Sequence, residues 1–230
     1  MERKNEIQSW GGSKIFENGY YNVLPNLRKK EHCSSIRMKN LIFTSSFWYA
    51  SPDVAFNSEL EALALKTEKE HASLKISNQT GYHSPGLNIN PLLTKFFNAI
   101  KPSVLAYIEA LQIKGPYQYT TDDPWININR KGDANIPHNH PGSFLAAVYY
   151  IKTSPSCGDF CFYDTRAPNL LSLQYQQRTH ENSSIWRIKP KAGTLMIFPA
   201  DLLHAVDPNQ SDESRISLSF NLNITQHEME

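Results

Sequence analysis

Cysteine is scarce in this 230-residue chain, and the three present, Cys33, Cys157 and Cys161, are an odd number. That is too few for a disulfide scaffold, so reduced thiols in a cytosol are the expectation. Charge of one sign is equally lacking. Lys and Arg total 23 against 22 Asp and Glu, and the longest like-charged run is Arg28-Lys29-Lys30. A chain that neutralises many phosphates needs a basic excess, so nucleic acid is excluded as the general partner. Nor does any stretch approach the ~18 consecutive apolar residues of a membrane span, and the first residues lead into no apolar signal segment. The expectation is a soluble, cytoplasmic protein without a membrane partner, in which the Asn-x-Ser/Thr triplets at Asn78, Asn182, Asn209 and Asn223 occur by chance. Phosphate-loop glycine patterns are missing too: Gly11-Gly12 and Gly132 read as turns.

What the chain does have is 40% hydrophobic residues, enough for one domain over 1–230. Its character changes near residue 115. Before that point the spacing predicts helices. Val54, Phe56, Leu60, Leu63 and Leu65 mark one between Pro52 and His71. Asn90-Pro91 caps a second that continues through Leu93, Phe96, Phe97 and Ile100, with a kink or restart expected at Lys101-Pro102. From 116 onward short runs rich in β-branched and aromatic residues predict strands at 125–129, 144–151, 159–163, 185–188, 194–198 and 215–223. The last alternates strictly: Ile216, Leu218, Phe220 and Leu222 on one face, Arg215, Ser217, Ser219, Asn221 and Asn223 on the other. The predicted fold is mainly β, a jelly roll formed by 116–230, with a helical support region, 1–115, packed on one sheet. The irregular stretch 166–184 is long enough to be a lid.

Chemistry concentrates in the second half. His138 and His140 form an HxH pair on an extended segment, so both imidazoles point to one side; His204, after another strand, can complete a facial set of three metal ligands. Such a site leaves positions open for a co-substrate and dioxygen. Arg215 lies eleven residues beyond His204 and shares a strand face with Ser217, a guanidinium and hydroxyl suited to a carboxylate. Asn127 and Asn129 share a face on their own strand and are candidates to line the same pocket. Tyr149 and Tyr150 must point to opposite sides, so one at most reaches the co-substrate; Tyr149 is assigned to it. His32, His71, His83, His180 and His227 carry no pattern and read as structural. Cys157-x-x-x-Cys161 reads as a strand entry in preference to a zinc pair.

The stretches INRKGDANIPHNHPGSFLAAVYYI, CGDFCFYDTR and AGTLMIFPADLLHAVDPNQSDESRISLSFNL resemble the iron(II)- and 2-oxoglutarate-dependent oxygenases. The resemblance is to a branch found in bacteria and phages, and more distantly to prolyl 4-hydroxylases, and it covers about residues 125 to 223. It implies a double-stranded β-helix, a cupin-like jelly roll. It also implies iron(II), 2-oxoglutarate and O2 as the reaction's requirements, with ascorbate as activator in vitro. His138 matches the first metal-binding histidine, His204 the distal one, and Arg215 the residue that grips the far carboxylate of 2-oxoglutarate. His140 stands where the wider superfamily has a carboxylate; the branch shows the same HxH, so His140 is read as a third imidazole ligand, with Asp164 or Asp133 as the alternative source of a carboxylate. The branch usually carries Ser-Gly at Ala146-Ala147 and Asp-Pro-Arg at Asp164-Thr165-Arg166. The implied reaction is hydroxylation of a small molecule or a peptide side chain, with succinate and CO2 released. Two other readings stand beside it: a three-histidine iron dioxygenase that does not use 2-oxoglutarate, and a non-catalytic jelly-roll binding module.

Overall fold

A computed structural model describes residues 13–15, 21–23, 45–165, 175–177, 179 and 182–226. The chain groups into two compact units, Met1–Phe43 and Thr44–Glu230. In the first, β1 (Ser13–Ile15) pairs antiparallel with β2 (Tyr21–Val23). All other elements belong to the second unit. Most of the expected lid, including Arg166, lies outside the described residues, as does Cys33.

Helix α1 spans Asn57–Glu70, beginning five residues after Pro52 and burying the stripe Leu60, Ala64 and Thr67. Leu65, expected on that stripe, is 40% exposed. Helix α2 spans Pro91–Ala110. Asn90 Oδ1 accepts the Leu93 N–H at 3.0 Å, with proline at the first turn as its spacing predicted. It runs through Pro102 without a restart. Pro102 and Asn98, four residues earlier, are both exposed, so the carbonyl that proline leaves unbonded meets water.

Two antiparallel sheets face each other. The larger has the order β3 (Trp48–Ala50), β11 (Leu195–Pro199), β8 (Leu145–Lys152), β13 (Arg215–Gln226), β6 (Trp125–Asn129), β4 (Tyr82–His83), and β5 (Tyr117–Thr121) also pairs with β13. The smaller has the order β10 (Ile185–Ile188), β9 (Phe160–Tyr163), β12 (His204–Val206), β7 (Asn135–His138). This is the mainly β jelly-roll architecture expected from sequence. Because β13 is twelve residues long, β6 pairs its first half and β5 its second, while β8 runs along the other edge.

Alternation along the central strands divides the larger sheet. Ile216, Leu218, Phe220 and Leu222 join Ile126, Ile128 and Tyr149 in the core beneath α1 and α2. The opposite face looks toward the smaller sheet, where Ala146, Val148, Tyr150, Met196 and Phe198 pack with Phe160 and Phe162. Arg215, Ser217 and Ser219 of β13 point the same way and are buried too, Arg215 being 2% exposed. A polar row between two sheets is expensive to bury unless it binds something. Among the described residues no helix is long and apolar enough to cross a membrane.

Candidate metal centre

β7 and β12 are antiparallel neighbours, and their register sets His138 directly opposite His204. Directly opposed residues share a face, so the two rings meet with centroids 4.3 Å apart. His140 lies two residues past His138, its backbone N–H held by the Ala200 carbonyl at 2.8 Å. One ligand-capable atom from each histidine lies within 4.8 Å of the others, and this is the one such group among the described residues.

The tautomers favour metal binding. His138 Nδ1 lies 2.7 Å from the Ile136 carbonyl and His204 Nδ1 2.8 Å from the Leu202 carbonyl. A carbonyl only accepts, so each Nδ1 carries the proton and each Nε2 presents a lone pair. His140 Nε2 is 3.3 Å from His204 Nε2. Ligands at adjacent corners of an octahedron with ~2.1 Å bonds are about 3 Å apart, so this pair is close to the spacing that a shared cation requires. Burial, with His138 nearby, lowers the pKa of His140 to about 4 and of His204 to about 3; burial also lowers that of His138. All three are therefore neutral at physiological pH, the state that binds a metal. Phe160 and Phe198 flank His204, ring to ring at 5.4 and 4.8 Å, and keep water from it.

The three histidines open on a cavity of about 280 Å³ whose wall also includes Arg215, Ser217, Asn127, Asn129 and Tyr150. Arg215 Nη1 donates to the Cys157 carbonyl, and to the Asp207 carbonyl at 3.3 Å. Its Nη2 is buried with no partner. The pairing with Asp212 that a strand-end arginine could make does not form, because Asp212 takes Lys131 at 2.8 Å. Burial lowers the Arg215 pKa, outweighing the attraction of Asp133 and Asp207, neither of which makes an ion pair with it. Gly158 makes this arrangement possible. It has φ +83°, and a Cβ there would lie 2.2 Å from the Asp207 carbonyl oxygen, so only glycine lets the two carbonyl-bearing segments converge on Nη1.

One expected residue is misplaced. Tyr149 lies on the helix-facing side of β8, fully buried against Phe96, with its hydroxyl donating to Asn57 Oδ1 at 3.1 Å. It cannot reach the cavity. Tyr150, pointing the other way and directly opposite Ser217, can. Its hydroxyl is buried without a partner, and burial raises its pKa, which keeps it a donor. Asn127 and Asn129 both line the cavity; Asn129 Nδ2 is engaged with Asn135 Oδ1 at 3.4 Å. Neither alternative carboxylate is in the metal-capable group. Asp133 instead accepts the Arg130 N–H at 2.7 Å in a turn, and the Asp164 N–H donates to the Ser184 carbonyl at 2.8 Å. Cys157 and Cys161 are buried free thiols. Trp125 lines the cavity too, on the strand face that it shares with Asn127 and Asn129, whereas His83, on a two-residue strand, had no sequence signal.

No curated protein matches the sequence significantly. Among solved structures, a Pseudomonas putida prolyl-4-hydroxylase superimposes with a TM-score of 0.57 at 13% identity, covering 80% of this chain and 95% of the other. The non-heme α-ketoglutarate-dependent epimerase SnoN from nogalamycin biosynthesis gives 0.58 at 14% identity, covering 78% and 76%. HygX from Streptomyces hygroscopicus, with nickel, 2-oxoglutarate and hygromycin B bound, gives 0.52 at 12% identity, covering 78% and 83%. These likenesses establish the shared fold. Residues 123–221, which hold the three histidines and Arg215, match the family described as "Putative 2OG-Fe(II) oxygenase".

Proposed function

We propose that the chain is an iron(II)- and 2-oxoglutarate-dependent oxygenase that hydroxylates an organic substrate, working as one catalytic domain in the cytoplasm. The observation that carries the reading is Arg215: a buried guanidinium whose Nη2 has no partner, in the wall of the cavity onto which three neutral imidazoles open. An unpaired buried cation is costly, and a carboxylate ligand removes that cost.

The donor set fits the implied groups. His138, His140 and His204 would hold the iron through lone pairs that their surroundings keep unprotonated. When bound, iron with 2-oxoglutarate and dioxygen supplies the oxidising chemistry, giving succinate and CO2 as a substrate C–H bond is hydroxylated. The protein's part is binding and exclusion of water. Arg215 Nη2 and the Tyr150 hydroxyl are donors without partners, and with Ser217 they form a receptor for the distal carboxylate. The Cys157 and Asp207 carbonyls fix the guanidinium from behind, so little is reorganised when the co-substrate arrives. Phe160, Phe198 and Val148 line the wall with apolar groups and strengthen each polar contact within.

The test is succinate formation by purified protein with iron(II), 2-oxoglutarate and ascorbate in air, against a His138→Ala control, with calorimetry of 2-oxoglutarate binding. Metal-dependent succinate that disappears in the control supports the reading. Absence of both turnover and 2-oxoglutarate binding refutes it. A three-histidine dioxygenase without 2-oxoglutarate leaves the buried Arg215 unexplained.

A further inference from the structure

His83 lies outside every sequence motif, yet it lines the cavity that holds the three imidazoles. It is 5% exposed, on the edge strand β4, directly opposite Asn127 of β6. Its Nδ1 is 2.9 Å from the Ser84 carbonyl, so that nitrogen carries the proton and Nε2 is an acceptor. Burial lowers the ring's pKa and keeps it neutral. The ring lies parallel to Trp125 at 5.8 Å and 10°, and Trp125 stacks in turn on His140 at 5.7 Å and 26°. His83 is thereby fixed relative to a metal ligand. No described group bonds its Nε2. On the residue opposite, Asn127 Oδ1 is buried without a partner, while Asn127 Nδ2 is turned to Ser219 Oγ at 3.5 Å. Asn127 was expected to touch the co-substrate; an amide oxygen repels a carboxylate and suits a donor.

The rest of the wall narrows what that donor can be. Among the described residues no Asp, Glu or Lys lines the cavity, and the one permanent charge they place there is Arg215, whose free valence the reading above gives to 2-oxoglutarate. A charged substrate group near His83 would lose its water and meet no charged side chain among the described residues beside it. A hydroxyl or an amide N–H would satisfy Nε2 and Oδ1 and remain neutral. The surrounding Ser77, Asn135 and Ser219 are uncharged polar groups of the same kind.

Resting on the oxygenase reading of this cavity, we propose that His83 and Asn127 form the substrate-recognition pair and select an uncharged substrate bearing hydroxyl or amide N–H donors. The experiment uses the iron-loaded enzyme with 2-oxoglutarate in air and measures how far each probe raises succinate release above the probe-free rate. Myo-inositol and methyl α-glucopyranoside represent hydroxyl donors, N-acetylprolinamide represents the amide, and glutamate and spermidine carry charge. His83→Phe keeps a ring against Trp125 and removes the acceptor; His83→Gln restores one. At least one neutral probe is expected to stimulate the wild-type enzyme, His83→Phe to lose that stimulation by about tenfold or more, and His83→Gln to recover part of it. The loss should fall on the probe's kcat/KM and not on the Kd of 2-oxoglutarate, which calorimetry reads separately. Stimulation confined to charged probes, stimulation undiminished in His83→Phe, or no response to any neutral probe while 2-oxoglutarate still binds overturns the proposal. Failure of the wild-type protein to bind 2-oxoglutarate at all overturns the oxygenase reading instead.

Discussion

Replacing Arg215 with Met removes the cation and keeps most of its volume, so it isolates the role of the guanidinium. In the ligand-free protein two effects oppose. The bonds to the Cys157 and Asp207 carbonyls disappear, which destabilises. A desolvated cation with no carboxylate partner disappears as well, which stabilises. The melting temperature without ligand should therefore move by only a few degrees. In the complex nothing offsets the loss. Each charge-assisted hydrogen bond is worth about 1.5–3 kcal/mol, and truncating one side of a buried charge pair costs about 2–5 kcal/mol. With Nη2 supplying one or two such bonds, the loss should be about 3–5 kcal/mol, roughly a 100- to 5,000-fold rise in the Kd of 2-oxoglutarate. Calorimetry on nickel-loaded protein, which holds the ligand without turnover, reads this directly. Melts with saturating 2-oxoglutarate provide a second readout, since a ligand at 100 times its Kd stabilises by about 2.7 kcal/mol and the variant should lose that increment. A Kd within threefold of wild type would show that Arg215 is a structural cation and would remove the central support for the co-substrate assignment.

Other consequences are as direct. Tyr150→Phe should weaken 2-oxoglutarate binding by about 1.5–3 kcal/mol, whereas Tyr149→Phe should leave that Kd alone and lower stability by about 1 kcal/mol through loss of the Asn57 bond; the same calorimetry and denaturant titrations distinguish them. His204→Ala should weaken metal binding more than the ~10–100-fold typical of losing a group that merely orients a ligand, while His140→Asp should retain the metal, as metal titrations will show. Because burial lowers the pKa of His140 and His204, the unfolded chain takes up protons that the folded one refuses. The stabilising contribution is complete above about pH 6.5 and is lost as pH falls toward about 4, so metal-free denaturation midpoints should decline over that window and decline less in the His140→Phe/His204→Phe variant. Gly158→Ala places a Cβ within 2.2 Å of the Asp207 carbonyl oxygen; it should destabilise by about 3 kcal/mol or more and weaken 2-oxoglutarate binding by displacing the carbonyls behind Arg215.

The residues show why some of this was legible in sequence and some was not. β13 announced itself because its two faces differ, apolar against polar, and β6 and β10 have the bounds that their composition predicted. HxH on an extended segment carried its own geometry. By contrast β8 is buried on both faces: Leu145, Ala147, Tyr149 and Ile151 are as apolar as Ala146, Val148 and Tyr150, so no period-two contrast sets the phase. Composition therefore does not distinguish Tyr149 from Tyr150, of which Tyr150 lines the cavity. Strands β3, β4 and β12 have two or three residues each and exist through pairing with distant strands. β7 contains Pro137, which argues against a strand in any local reading. His83 was invisible for the same reason, since its place depends on β4 pairing with β6 across more than forty residues of chain.

Charge links the unusual HxH to the rest of the cavity. An HxD site would set a carboxylate beside the metal and offset one of its two charges; three imidazoles offset none. Among the described residues the only other charge on the wall is also positive, Arg215, and no acidic residue lines the cavity. A divalent metal in this site would therefore leave a local charge of three, buried among Phe160, Phe198 and Val148. The 2-oxoglutarate dianion is matched to that excess, with one carboxylate for the metal end and one for the guanidinium. Metal and co-substrate should consequently bind with positive coupling, each reducing the electrostatic cost of the other, and by linkage the coupling is reciprocal. With the dianion seated, the local charge falls from three to one, which disfavours a further cation near His83, Asn127 and Ser77, described wall residues that carry no charge. The choice of imidazole at residue 140 and the choice of neutral polar groups opposite it are thus parts of one charge balance.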